Sequence, residues 1–494
     1  MDWIEKRAEL SREKTAIIDI HYDRKLSYKD LNVQANRWVQ IFLSHRIKKG
    51  DRVAVIASNR AELFEIMFAC GKIGAIFVPL NWRLSEEELT YIITDCSPSL
   101  IIFQEKFYEK AKALSDDRLP LISISNPPLT EVKTEQKWEN HYLEEDPWMI
   151  IYTGGTTGRP KGVVLSYRAV IWNAINTIVS WGLTEDEVTL NYMPLFHSGG
   201  INALSIPILF NGGTVVIGDQ FHPSEALLNL NKYQCTIALF VPTMYHMMQQ
   251  TEEFEKLDFP SMKVFLSGGA PCPFPIYEKF VKRGLPFREG YGLTEAGPNN
   301  FYIPTMKAME KWGSVGKPMM FNEVKIVDDQ GKEVAGSEVG ELLIRGKHVF
   351  TEYWNNQQAT AKTLENGWLH TGDYARRDQD GYYYIVGRKK DVIITGGENV
   401  YPSEIEQWLL QHEAIDEATV VGIPDEKWGE RIVAFVSFKG EELQKDELKK
   451  YCEKKLAKFK VPKEFVPLDQ LPKTPVGKID KKALIKSVTN DSKT

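Results

Sequence analysis

Short apolar runs bounded by glycine and proline recur along the first part of the chain: DRVAVIAS, GAIFVPL, SLIIF, GTVVIGD, CTIALFVP and MKVFLSGG. They read as buried strands. Helical spacing lies between them. In HPSEALLNLNKYQ, Ala226, Leu227 and Leu230 share one face ahead of the strand at Cys235. A strand-helix-strand rhythm of this kind predicts an α/β fold. Near Gly331 the pattern changes to polar, hairpin-like strands, KIVDDQGKEV and GELLIRG, with Asp-Asp-Gln-Gly turn chemistry, and a smaller β-rich lobe is expected there.

A further boundary falls between Arg388 and Asp391, where GRKKD separates DGYYYIVG from VIITGG. Beyond it, Ser403 and Glu406 have capping-box spacing, and Ile405, Trp408, Leu409 and His412 fall at helical spacing. Strand-like ATVVGIP and RIVAFVSF then lead to a Lys-rich helix. The expected architecture is a large N-terminal domain of stacked α/β subdomains plus the β-rich lobe, residues 1–388, and a small α/β C-terminal domain, residues 389–494.

Composition agrees with this division, since 494 residues exceed one hydrophobic core. A hydrophobic share of 43% and a charged share of 26% exclude a mainly disordered, collagenous or coiled-coil chain. A net charge of -6 gives no global attraction to nucleic acid or anionic lipid, although twelve lysines against four acidic residues between Lys449 and Lys486 form a local basic strip. The five scattered cysteines suit reduced core thiols, with no zinc spacing. No signal-like or membrane-spanning run is read, so a cytoplasmic location with at most transient membrane contact is expected.

The sharpest local chemistry is IIYTGGTTGRPKG, where a buried strand runs into a loop of small residues and hydroxyls ending in Lys161. Glycine lets backbone N–H groups approach phosphate oxygens, while Thr153, Thr156 and Thr157 add donors and Lys161 adds charge. Pro160 separates glycine from lysine, so this is not a Walker A loop. Downstream come FLSGGAPCP, EGYGLTEAG, HTGDY, GRKKD and PVGK. Glu295 offers a carboxylate to a hard cation such as Mg2+, and one carboxylate at Asp373 can accept two adjacent ribose hydroxyls.

In this order, the motifs resemble the adenylate-forming superfamily of acyl-CoA ligases, firefly-luciferase-like enzymes and peptide-synthetase adenylation domains, over essentially the whole chain. The resemblance implies that a carboxylate attacks the α-phosphate of ATP to give an acyl-adenylate, from which the thiol of coenzyme A displaces AMP. It implies ATP and AMP contacts at Thr153, Gly155, Thr156, Thr157, Gly158, Lys161, Gly269, Ala270, Pro271, Tyr291, Gly292, Asp373 and Arg388. Tyr291 would stack on adenine, Thr294 would contact the α-phosphate and Glu295 would hold Mg2+. His197, in PLFHSGG, would position the carboxylate and gate the thiol. Lys478 would serve adenylation, after which a mobile C-terminal domain would turn about Lys390 and bring Gly396 and Gly397 against CoA. The family usually has Ser where this chain has Gly154.

The segments expected to form the pocket, HSGGINALSIPILF, VPTMYHMM and AGPNNF, hold no carboxylate to pair with the ammonium of an amino acid. A hydrophobic acid fits better. A medium- or long-chain fatty acid is favoured, with 2-succinylbenzoate or another aryl acid as the nearest alternative and a catalytically silent nucleotide-binding homologue as the alternative of another class. The expected partners are thus a small carboxylic acid, ATP and CoA, without nucleic acid; a homodimer is admitted.

Overall fold

The computed structural model describes residues 2–115, 119–128, 138, 142–154, 159–474 and 479–491, the side chains of 489–491 excepted. The apolar runs form strands of two seven-stranded sheets. In one, the order is Phe287–Glu289, Val264–Ser267, Ile237–Phe240, Val188–Asn191, Thr214–Ile217, Thr15–Asp19 and Arg24–Ser27. All but the last are parallel to their neighbours. In the other, Glu352–Tyr353, Lys161–Ser166 and Pro147–Thr153 pair antiparallel and continue into the parallel strands Ile76–Pro79, Arg52–Ile56, Leu100–Phe103 and Leu121–Ser123.

The largest core draws on both sheets and on helices Tyr28–Ser44, Ala61–Ile73 and Tyr167–Trp181. The middle helix is buried on every side from Ala61 to Lys72, which is why AELFEIMFACGK shows no exposed polar face. Its one lysine, Lys72, is paired with Asp2. The expected β-rich lobe is a separate antiparallel sheet of Phe301–Tyr302, Ser314–Pro318, Tyr383–Arg388, Trp368–Arg377, Gly340–Arg345 and Glu323–Val327, with Leu364–Glu365 at one side. The α/β class and this lobe are as the sequence pattern predicts.

The last hundred residues build a five-stranded sheet around the long hairpin Ile415–Asp425 and Gly429–Phe438, with its own apolar core. One local expectation fails here. Ser403 does not cap its helix, which runs Pro402–Leu409 with Tyr401 before it. Pro402, whose ring presets helical φ, starts the helix two residues earlier than a cap at Ser403 would. Ser403 Oγ instead donates to the Val386 carbonyl, and Glu406 Oε1 accepts from Thr419 Oγ1 at 3.0 Å and the Val420 N–H at 2.8 Å. His412 lies beyond the last turn. All five cysteines are buried and free. Among the described residues, no helix is long and apolar enough to cross a membrane.

Candidate active site

Strands Val264–Ser267 and Phe287–Glu289 end side by side, with Ser267 opposite Glu289. The chain leaves both at the carboxyl edge of a parallel sheet, the edge where open α/β folds bind ligands. Gly269, at φ +84°, turns the first loop outward and leaves Ala270 and Pro271 exposed. The Cys272 N–H donates to Glu289 Oε1 at 2.6 Å, so a buried carboxylate at the root of the second loop clips the first. Burial pushes that carboxyl up to about 7. At Gly292 any Cβ would drive into the Pro298 carbonyl, and only glycine allows the turn into Thr294–Ala296.

Tyr291, at the start of this second loop, donates its hydroxyl to Asp373 Oδ2 at 2.6 Å. Asp373 lies opposite Arg388 in the β-rich sheet, and Arg388 Nε stands 3.5 Å from Asp373 Oδ1. The Thr371 hydroxyl accepts from the Asp373 N–H at 3.1 Å, which fixes the backbone beneath the carboxylate. Burial and the neighbouring carboxylate hold the Tyr291 phenol far above its usual range. Three residues that are distant in the chain thereby form one cluster, in which Asp373 is only 7% exposed.

Thr153 pairs with Lys161 at the mouth of the antiparallel hairpin Pro147–Thr153 and Lys161–Ser166. The Lys161 ammonium lies 4.8 Å from the centre of the Tyr353 ring. The Tyr353 hydroxyl in turn donates to Glu295 Oε1 at 2.7 Å, while the Glu295 carbonyl accepts from the Phe350 N–H at 2.8 Å. Lysine and carboxylate thus meet the same phenol, one over its ring and one at its hydroxyl. Gly155, Thr156, Thr157 and Gly158 lie outside the described residues, as does Lys478. At Gly154 a Cβ would meet nothing within 4 Å, so steric crowding does not account for the glycine. No group of three or more His, Cys, Asp or Glu that could hold a metal occurs among the described residues. A carboxylate at Glu295, joined through Tyr353 to Lys161, fits Mg2+, which takes one or two carboxylates and fills its other positions with phosphate oxygens and water.

On the acid side, His197 precedes the short helix Ser198–Ile201, and its carbonyl accepts from the Gly200 N–H at 3.0 Å. The Phe196 ring lies 5.0 Å from the imidazole. A Cβ at Gly200 would strike the Pro194 carbonyl. Gly199 and Gly200 open onto a small cavity shared with Thr189, Met193, Leu204 and Leu239.

In the last hundred residues, Gly396 and Gly397 have φ of +60° and +84° and join Ile393–Thr395 to Glu398–Val400 in a two-residue hairpin that requires positive φ at both. The Gly396 N–H donates to the Trp428 carbonyl at 2.8 Å. Lys390 sits in the turn Lys389–Asp391, where burial, with Arg388 and Lys482 nearby, holds its ammonium below the usual lysine value. Lys473 and Ile479 pair on either side of Lys478.

The structure therefore assembles Tyr291 with Asp373 and Arg388, and Lys161 with Thr153 and Glu295. His197 and the Gly396–Gly397 turn occupy separate positions. Tyr353 and Glu289 escape sequence reasoning: Tyr353 lies 58 positions from Glu295 and Glu289 lies 17 from Cys272. Only the adjacency of Glu289 to the Tyr-Gly-Leu-Thr-Glu run was available as a signal.

Known proteins resemble the chain over nearly its whole length. Residues 4–354 match the model of the AMP-binding enzymes and residues 404–478 that of the AMP-binding enzyme C-terminal domain. The chain is 36% identical over 478 residues to a feruloyl-CoA synthase of Amycolatopsis sp, covering 97% of this chain and 96% of that protein. The o-succinylbenzoate CoA synthetase of Bacillus subtilis, in complex with the acyl-adenylate intermediate OSB-AMP, superimposes with a TM-score of 0.87 at 31% identity, covering 98% and 97% of the two chains. The same synthetase with ATP and magnesium ion gives 0.86 at 31% identity, covering 97% and 98%. Matched by these models over most of its length and by relatives of this identity over nearly all of it, the chain belongs to the AMP-binding enzyme family, as an AMP-forming carboxylic acid:CoA ligase of the adenylate-forming superfamily.

Proposed function

We propose that the protein activates a hydrophobic carboxylic acid, an aryl acid first and a medium- or long-chain fatty acid second, as its acyl-adenylate and passes the acyl group to CoA. The observation that carries this reading is the placing of Lys161 and Glu295 about Tyr353, within the same fold that joins Tyr291, Asp373 and Arg388. Met193, Leu204 and Leu239, beside Gly199 and Gly200, suit a hydrophobic acyl part. Feruloyl and o-succinylbenzoyl groups, carried by the relatives above, support the aryl preference.

In this reading the backbone at Gly269, Ala270, Pro271 and Gly292 borders adenine, on which Tyr291 stacks. Asp373 accepts both ribose hydroxyls, with Arg388 beside it. Thr153, Gly155, Thr156, Thr157, Gly158 and Lys161 hold the β- and γ-phosphates, and Thr294 contacts the α-phosphate. Glu295 would hold Mg2+, which when bound would offset the charge of the phosphates. His197 orients the acid's carboxylate toward the α-phosphorus. Lys478 stabilises the negative charge that develops as the carboxylate oxygen bonds to phosphorus and pyrophosphate leaves. Residues 389–494 then turn about Lys390, which withdraws Lys478 and presents Gly396 and Gly397 to the pantetheine arm, where missing side chains leave room. The thiol attacks the acyl carbon and AMP departs with the bonding electron pair.

Replacing the carboxylate while keeping its shape tests the assignment. Glu295→Gln should raise the Mg2+ concentration needed for half-maximal acid-dependent pyrophosphate release and lower kcat by about a hundredfold. An unchanged magnesium dependence would remove Glu295 from the cation site.

A further inference from the structure

The chain leaves the parallel strand Arg52–Ile56 through a four-residue connection, residues 57–60, before helix Ala61–Ile73 begins. Asn59 lies in that connection and is 6% exposed. A buried primary amide needs partners for two N–H donors and a carbonyl oxygen. Asn59 finds all three far away in the chain. Its Nδ2 donates to the Met193 carbonyl at 2.9 Å and to the Gly218 carbonyl at 3.2 Å, and its Oδ1 accepts from the Leu195 N–H at 2.9 Å. Carbonyls only accept and an N–H only donates, so these partners fix which way the amide points.

The partners make Asn59 a bridge. Strand Arg52–Ile56 belongs to the sheet that carries the hairpin of Thr153 and Lys161. Met193 and Gly218 follow strands Val188–Asn191 and Thr214–Ile217, which are neighbours in the other seven-stranded sheet, with Asn191 opposite Ile217. One side chain thus joins the ends of strands from two sheets.

What it holds is the segment Met193–His197. Asn191 grips the same segment from its own sheet: its Oδ1 accepts from the Met193 N–H at 2.8 Å, and its Nδ2 donates to the Gly200 carbonyl at 2.7 Å. The His197 N–H donates to the Pro194 carbonyl at 3.0 Å and closes a turn on the anchored residues. Phe196, also buried, meets the Trp82 ring edge-on at 6.5 Å, and Trp82 follows strand Ile76–Pro79, which pairs with Arg52–Ile56. With its backbone tied on both flanks, His197 is left to move by rotation about its own side-chain bonds.

We propose that Asn59 is a positioning residue for the adenylation step, which ties the His197 segment to the sheet bearing Thr153 and Lys161 and so sets where the imidazole stands relative to the phosphates. The inference deepens the function proposed above and rests on its assignment of His197 to the acid's carboxylate. Asn59 touches neither acid nor nucleotide and acts through His197. The amide is the group required, because a carboxylate has no donor for the two carbonyls and an alkyl chain has nothing for any of the three partners.

A double-mutant cycle on acid-dependent pyrophosphate release separates positioning from general structural support. Asn59→Ala should lower kcat about thirtyfold through a displaced imidazole, with KM for ATP within about twofold of wild type. His197→Ala alone should lower kcat by about a hundredfold. In the His197→Ala background, Asn59→Ala should cost no more than about threefold, since the group it places is gone. Asn59→Ser, which keeps a hydroxyl for these partners, should lose less than Asn59→Ala and carries the same cycle if Asn59→Ala does not fold. Equal losses in the two backgrounds, or no loss on replacing Asn59, overturn the proposal while leaving the role of His197 standing. Full activity of His197→Ala would remove the assignment on which the proposal rests, and the proposal with it.

Discussion

Tyr353 illustrates what a single side chain can do at this site without belonging to any motif. Its ring carries the Lys161 ammonium on one face, and its hydroxyl fixes the Glu295 carboxylate. Removing only that hydroxyl, in Tyr353→Phe, should lower kcat/KM for ATP about tenfold, equivalent to roughly 1.4 kcal/mol, with little change in melting temperature. Steady-state kinetics at saturating acid would measure it, and an equal loss of thermal stability would mark the tyrosine as structural instead. The contrast with Gly292 shows which residues sequence can disclose. Gly292 sits inside a contiguous run whose turn chemistry is local, so its motif marks it before its contact with Pro298 is known. Tyr353 and Glu289 gain their roles from partners brought in by the fold, and nothing in their immediate neighbourhoods records those partners.

At the scale of elements, the two loops at the carboxyl edge of the parallel sheet behave as one unit because Glu289 ties them together. That clip is sensitive to pH. Burial raises the carboxyl from an ordinary value of 4.5 to about 7, so the folded protein keeps a proton that the unfolded chain releases earlier. Stability on this account is full below about 4.5 and falls as pH rises through 7, where a charge must be buried. Glu65, also raised to about 7 by burial, contributes in the same direction. Glu289→Gln keeps an oxygen for the Cys272 N–H and cannot ionise. Its melting temperature relative to wild type should therefore climb as pH goes from 4.5 to 7.5, whereas a constant difference would show that Glu289 titrates equally in both states. The strands of these elements were legible as short apolar runs, since buried parallel strands have little choice of composition. The helix at Pro402 was legible in existence but not in its start, because proline at the first position overrode the capping signal at Ser403.

The whole molecule joins a nucleotide-binding body to a last hundred residues that contain their own sheet and cores. Away from Lys390, His246 and Asp416 meet at 3.2 Å between helix Pro242–Met248 and strand Ile415–Asp425. A two-step reaction served by one site makes the halves separable by mutation. Lys478→Ala should reduce acyl-adenylate formation by more than about a hundredfold and leave CoA attack on supplied acyl-adenylate near the wild-type rate. Equal loss of both steps would contradict a turning C-terminal domain. The separate sheet of the last hundred residues follows the change of pattern around GRKKD, whereas the cluster of Arg288, Trp181 and Tyr302 has no trace in the local sequence, because the three meet only when strand, helix and lobe are assembled.

The most direct measurement is product stoichiometry across a panel of aryl, fatty and dicarboxylic acids, with ATP, Mg2+ and CoA. The account predicts acid-dependent release of one pyrophosphate and one AMP for each acyl-CoA formed, with the highest kcat/KM among aryl acids. ADP and phosphate as products, or turnover of ATP that no acid stimulates, would contradict it.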